Sequence, residues 1–169
     1  SKCWICVAVT EKCFAYSLRT SAVPATGYDI ACLLAEPTVF DGFENTMNML
    51  FSKVHENGHV LIGTTFYLQP DVPRELIEFE GNLKLHTDIE IFDIVKRNQC
   101  IITGIARDTR NEWDRYISWS TRRHLASYRN ENDPAKKMEK FDWMHKWHEM
   151  YLHYRMKYEG FAIYAIERI

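Results

Sequence analysis

An α/β fold in one domain, with a mostly parallel sheet, is predicted for this 169-residue chain. Short apolar runs of strand length alternate with stretches whose apolar residues recur at i, i+3 and i+4. One such strand–helix–strand unit, from Tyr28 to Gly63, has the length of a parallel crossover. The composition, 46% hydrophobic and 26% charged, is that of a chain with a packed core.

The elements follow in order. Trp4–Val9 and Cys13–Leu18 are short, apolar and bounded by charge, and read as strands. Thr20 to Gly27, with Pro24, reads as a loop. Tyr28 to Leu34 has the length of a buried strand. After Asp41-Gly42, Phe43, Met47, Leu50, Phe51 and Val54 mark a helix that Asn57-Gly58 ends, and His59–Gly63 is the next strand. Gln69-Pro70-Asp71-Val72-Pro73 predicts a loop and then a short helix. Asp88–Arg97 is helical through Ile91, Ile94 and Val95, and Cys100–Ile105 is a strand.

Thr109-x-x-Glu112 is a capping box: the hydroxyl accepts from the third backbone N–H and the carboxylate accepts from the first. Asp133-Pro134 opens a second helix with an N-cap carboxylate and proline at N1. That helix, running to about Lys157, carries two apolar stripes. One holds Met138, Phe141, His145, His148 and Leu152, the other Trp143, Trp147, Met150 and Tyr154. One stripe is expected against the sheet and the other against the preceding helix. Gly160–Ile166 closes the chain as a strand. The single domain thus divides into residues 1–27, a strand–helix core over 28–106, and a helical pair with a final strand over 107–169.

Charge narrows the function. The net charge is −2, and acidic and basic residues are interspersed, which argues against a nucleic-acid surface. No apolar run reaches the roughly 18 residues of a membrane span, and a basic-then-apolar leader is absent at Ser1-Lys2-Cys3-Trp4. A cytoplasmic protein is the expectation. The five cysteines are an odd number for a disulfide framework. Cys3-x-x-Cys6 has metal-ligand spacing without a second pair at finger distance, so no metal is expected. His145 and His148 at i, i+3 suit a helix interface better than a metal. Asp71 and Glu75 form either a catalytic pair or a solvated helix start. The phosphate-binding, nucleophile-elbow and zinc-protease signatures are all absent.

Longer stretches carry a resemblance. Tyr28-Asp29 opening a strand, Gly42-Phe43-Glu44-Asn45-Thr46, and Glu56-Asn57-Gly58-His59 leading into the next strand follow one another. Further on come Asn111-Glu112-Trp113-Asp114-Arg115-Tyr116, Asn132-Asp133-Pro134, Trp147-x-x-x-Tyr151-Leu152-x-Tyr154 and Glu159-Gly160-Phe161-Ala162-Ile163-Tyr164. Together, over roughly residues 20–167, they resemble the second half of a class I S-adenosylmethionine-dependent methyltransferase of one bacterial-type subgroup.

The resemblance implies a Rossmann-like sheet, truncated at its N-terminus, with a C-terminal helical pair and a closing antiparallel strand. It implies S-adenosylmethionine as cofactor, placed beside Leu33, Leu34 and Ala35 at the end of the family's fourth strand, with Arg19 and Thr20 near the adenine. Glu36, Tyr67, Trp113 and Tyr116 would line the side of a small-molecule acceptor. Packing of the helix onto the sheet is the other reading of Trp113 and Tyr116, which are three apart and share a face.

The chain departs from the family at its defining site. Only 27 residues precede Tyr28, and they hold no glycine-rich loop. Where the family has an acid near the adenine, this sequence has Arg19, which cannot accept a hydrogen bond. The chain is accordingly a fragment of a longer product, a shortened homologue, or a domain completed by a partner. A non-catalytic domain acting through dimerisation or partner binding at an open sheet edge is the alternative function.

Overall fold

A computed structural model of the chain describes residues 4–9, 12–17, 27–34, 40–81, 83 and 85–169. Six strands form one sheet: β1 (Trp4–Val9), β2 (Lys12–Ser17), β3 (Tyr28–Leu33), β4 (Val54–Tyr67), β5 (Cys100–Arg107) and β6 (Glu159–Arg168). Their order is β2-β1-β3-β4-β6-β5. The helices are α1 (Phe43–Phe51), α2 (Arg74–Phe79), α3 (Asp88–Arg97), α4 (Arg110–Arg129) and α5 (Pro134–Met150). A π-helical turn, Tyr151–Arg155, and a last turn, Met156–Tyr158, continue α5 into β6. The expected loop before Gly27 lies outside the described residues.

The sheet corrects one expectation. Only β3 and β4 pair in parallel; the other four pairings are antiparallel. The α1 crossover gives the parallel pair, as its length required. β1 lies antiparallel beside β3, with Ile5 opposite Leu33 and Ala8 opposite Ile30. It covers the edge of β3, so the outer strands of the sheet are β2 and β5. Local hydrophobicity identifies a strand but not its direction, which is set by tertiary pairing.

A second correction concerns Asn57-Gly58. These residues do not separate helix from strand: α1 ends at Phe51, and β4 already begins at Val54. The β3–β4 register shifts there, Tyr28 pairing with Val54 and Ile30 with His59, so the extra residues form a bulge. A Cβ on Gly58 would stand 2.5 Å from Val54 Cβ, so glycine is what the bulge admits. At this amino end of β3 Asp29 meets His55 Nε2 at 3.0 Å, far along the strand from Leu33.

The core lies on one face of the sheet. Phe43, Met47 and Leu50 of α1 and Ile91, Ile94 and Val95 of α3 bury against Leu33, Val60, Ile62, Tyr164 and Ile166. Thr87 caps α3 by the same reciprocal box as Thr109, with Glu90 as its third residue. The alternating strand positions Leu61, Phe161, Ile163 and Ala165 face the other way and stay only half-buried.

The helical pair differs from expectation too. α4 and α5 meet through Ile117, Ser120 and Met144. His124 stacks on Trp143 at 4.2 Å between ring centroids, and Tyr128 lies against Phe141. The stripe of Met138, Phe141, His145, His148 and Leu152 meets α4 through Phe141 against Tyr128 and His148 against Thr121, while Met138 and Leu152 stay exposed. Only Met150 and its neighbours join the body, in a small cluster with Tyr67 and Leu76. The 20-residue α4 is about 30 Å long.

Candidate active-site cleft

The carboxyl ends of β4 and β5, the start of β6, the head of α4 and the π turn meet around a cleft of about 180 Å³. β4 supplies Phe66, followed by Leu68 just past its end, and β5 supplies Arg107 followed by Asp108. Asp108 closes the end of the β5–β6 ladder. Its N–H donates to Phe161 O at 3.1 Å, and Phe161 N–H returns a bond to Asp108 Oδ1 at 3.0 Å. Burial pushes the Asp108 carboxyl up and the Phe161 N–H opposes this. The Thr109–Glu112 box then turns the chain into α4 and brings Trp113 to the wall.

Gly160 sets the floor. A Cβ there would meet the Phe66 ring at 2.9 Å, so only glycine lets that ring lie across the start of β6. Arg107 sits over Phe66, 5.0 Å from its centroid, and makes two bonds of 3.0 Å to the Asp88 carboxylate. Tyr164 O–H donates to the same carboxylate, and burial pushes that phenol up. Arg110 donates to Met156 O at 3.0 Å.

Behind the wall lies a buried charge cluster. The π turn adds one residue to the helical repeat and carries Tyr151 and Arg155, both buried. Tyr151 O–H donates to Asp114 at 2.6 Å; burial and that carboxylate push its pKa up to about 12. Arg155, only 7% exposed, donates through Nε to Glu159 at 2.6 Å and pairs with Glu80 at 3.3 Å. Its guanidinium lies 4.7 Å from the Trp147 ring centroid and 5.4 Å from that of Trp113. Glu159 Oε1, Trp113 Nε1, Arg155 Nη1 and Tyr67 Oη are buried without hydrogen-bond partners among the described residues.

The sequence-predicted residues are distributed as follows. Trp113 lines the cleft. Tyr116 packs edge-on against Trp113 at 6.0 Å but is 49% exposed. Tyr67 is buried below, opposite Glu159 in the ladder, and burial together with Glu159 and Glu80 pushes it up to about 12. Leu33 is fully buried in the core, while Leu34 beside it is 50% exposed. Gly63 of β4 lies against Leu34, where a Cβ would approach Leu34 Cα to 3.1 Å. Arg19, Thr20, Ala35 and Glu36 lie outside the described residues.

Asp71 and Glu75 are exposed around the start of α2. His148 is held by Met144 O and Thr121 within the helical pair. Among the described residues no three His, Cys, Asp or Glu side chains gather as metal ligands, and no helix is long and apolar enough to cross a membrane.

Sequence reading alone missed Asp108, Arg155 and Glu159. The signal for Arg155 and Glu159 was an i, i+4 pair of opposite charges beside Gly160. For Asp108 it was an acid directly after an apolar strand and before a capping box.

No protein-family model and no curated protein matches the chain. Solved structures match its fold. A SAM-dependent methyltransferase from Geobacter sulfurreducens, in complex with S-adenosyl-L-homocysteine, aligns at a TM-score of 0.73 and 17% identity, over 88% of this chain and 61% of its own. One from Thiobacillus denitrificans, with the same ligand, aligns at 0.72 and 15%, again over 88% and 61%. The [4+2]-cyclase SpnF aligns at 0.58 and 10%, over 88% of this chain and 53% of its own. The chain therefore spans about three fifths of the length of the two methyltransferases. At these identities the likeness is one of fold: over the part it spans, the chain has the Rossmann-like fold of the class I methyltransferases.

Proposed function

We propose that the chain takes part in S-adenosylmethionine-dependent methyl transfer to a small-molecule acceptor, and that its described residues carry the acceptor side. One observation supports this most: the cleft opens at the carboxyl ends of β4 and β5, where open α/β sheets bind their ligands. Methyl transfer asks little covalent chemistry of a protein. The work is to hold the acceptor in line and keep water out. A small cleft walled by Phe66, Trp113 and Tyr151, with a carboxylate at its rim, suits that work.

S-Adenosylmethionine, ligated in the reading above, would be a source of an activated methyl group. The described residues fit only one wall of its site. Leu34 offers an exposed apolar side chain at the end of β3. The strand beside β3 is antiparallel β1, so no strand–loop–helix cradle stands there among the described residues. No chemical step is therefore derived through the cofactor.

The test is thermal melting of the 169-residue chain with and without S-adenosylhomocysteine. A rise in melting temperature that saturates with ligand is expected, and no rise at millimolar ligand would overturn the reading. That second result would favour the non-catalytic alternative, with β2 and β5 as the edges open to a partner, since β1 covers β3.

A further inference from the structure

We infer that the cleft between β4, β5 and α4 binds a small protonated amine, with Asp108 as its anchoring carboxylate and the Phe66 and Trp113 rings as its walls. The inference rests on the acceptor-side reading above for its biological meaning, since the bound amine becomes a methyl acceptor once its proton passes to Asp108 and frees the nitrogen lone pair. Binding itself is independent of any cofactor.

Three observations carry it. First, the cations in the wall are already engaged. Arg107 holds Asp88 through two bonds, Arg155 holds Glu159 and Glu80, and Arg110 holds the Met156 carbonyl. Second, acceptor capacity is left over. Asp108 spends Oδ1 on Phe161 N–H, and its other oxygen has no partner among the described residues. Glu159, buried to all but 4%, spends Oε2 on Arg155 and leaves Oε1 without one. A buried carboxylate oxygen with no donor is costly, and an amine ligand brings donors to this side of the cleft. Third, the aromatic walls already hold cations. Arg107 sits over Phe66 and Arg155 over Trp113, each within about 6 Å of the ring centroid as cation–π contact requires.

Charge balance agrees. Arg107, Arg110, Arg155, Asp108 and Glu159 line the cleft, and Asp88 and Glu80 behind the lining pair with Arg107 and Arg155, so four carboxylates stand against three arginines once that outer layer is included. Arg107 and Arg155 already face carboxylates, with which an anionic ligand must compete, and the Arg155 atom left without a partner among the described residues, Nη1, is buried. The volume of about 180 Å³ sets the size at one small ring or a few methylenes. Trp113 Nε1 and Arg155 Nη1 are donors of the wall left without a partner among the described residues, and either suits a hydroxyl on the same ligand.

The probe is benzylamine, with phenylacetate as its anionic counterpart, titrated without cofactor and followed by the Trp113 indole N–H resonance, which the Trp113→Phe variant assigns. Saturable benzylamine binding is expected, with phenylacetate about tenfold weaker or undetectable. Asp108→Asn keeps an oxygen for Phe161 N–H, so the fold should persist with an unchanged melting temperature. Benzylamine affinity in that variant should fall about tenfold. Asp108→Glu, which keeps the charge, should restore part of it. Equal binding of phenylacetate, undiminished amine binding by a folded Asp108→Asn chain, or no benzylamine shift at all would each overturn the inference. Because S-adenosylhomocysteine is absent from these samples, failure here leaves the methyl-transfer reading to its own test.

Discussion

Beneath α1 and α3 the buried side chains are almost all apolar: Phe43, Met47, Leu50, Ile91 and Ile94 close over Val60, Ile62 and Tyr164. Some twenty ångströms of strand further along, at the carboxyl end of β4, the buried groups are Arg155, Glu159 and their partner Glu80, framed by Trp113 and Trp147. The first region gains stability from burying surface, at roughly 25 cal/mol per Å². The second must recover the desolvation of several charges, which good ion-pair geometry does at best partly. A fold does not need a buried arginine here for stability alone. The contrast separates an apolar scaffold from the charged region beside the cleft.

Substitutions that break one region and spare the other sharpen this contrast. The largest effect is expected from Arg155→Ala, which strands two carboxylates, one of them fully buried. It should cost about 3–5 kcal/mol in urea unfolding. Replacing the pair together, Arg155→Met with Glu159→Leu, should recover much of that loss, because no charge is left uncompensated.

In the apolar region Leu50→Ala should cost about 2–5 kcal/mol by the same measurement, since Leu50 has no exposed surface. Met138→Ala, at an exposed position of α5, should stay within about 0.5 kcal/mol. Equal costs for these two would place α5 against a surface absent from the fold described above.

A smaller loss, about 1 kcal/mol, is expected for Thr109→Ala, which removes the cap of α4 beside the cleft. Thr87→Ala should cost the same at α3. Only the Thr109 variant should also weaken benzylamine binding, because its cap orients Trp113.

The smallest effect is electrostatic. Hydrogen bonds from Arg97 and Asn98 hold the Glu44 carboxyl down at about 2, from an ordinary 4.5. Its folded pKa is depressed, so the stability it lends is present above the ordinary value and lost as pH falls from there towards the lower one. The pair is partly exposed, which limits the gain to about 1 kcal/mol or less. The melting-temperature gap between wild type and Glu44→Gln should close as pH is lowered through that interval.

How much of this was legible in the sequence follows from distance along the chain. The Asp88–Arg97 helix, the Thr109 box and the Asp133-Pro134 start are local patterns, and each appears at its expected residues. The Thr87–Glu90 box was equally legible, since Thr-x-x-Glu precedes the apolar periodicity of α3 in the same way. The antiparallel direction of β1 was not, because nothing within Trp4–Val9 encodes which partner it meets. Asn57-Gly58 misled, because a bulge and a turn ask for the same residues. Around the cleft, Trp113 and Tyr67 stood out as large aromatics. Arg155 pairs with Glu80 across 75 positions and Asp108 with Phe161 across 53, separations that no local pattern reports.

The account turns on whether the crevice along the carboxyl ends of the strands takes the cofactor of the fold it shares. Isothermal titration with S-adenosylhomocysteine of the wild-type chain and of Leu34→Arg measures this directly. Leu34 is half exposed beside β3, so an arginine there adds bulk and charge at the mouth of the crevice without disturbing the core. Saturable heat from the wild type and its loss in a folded Leu34→Arg chain is the expected result. No heat from the wild type, or equal heat from both chains, would contradict it.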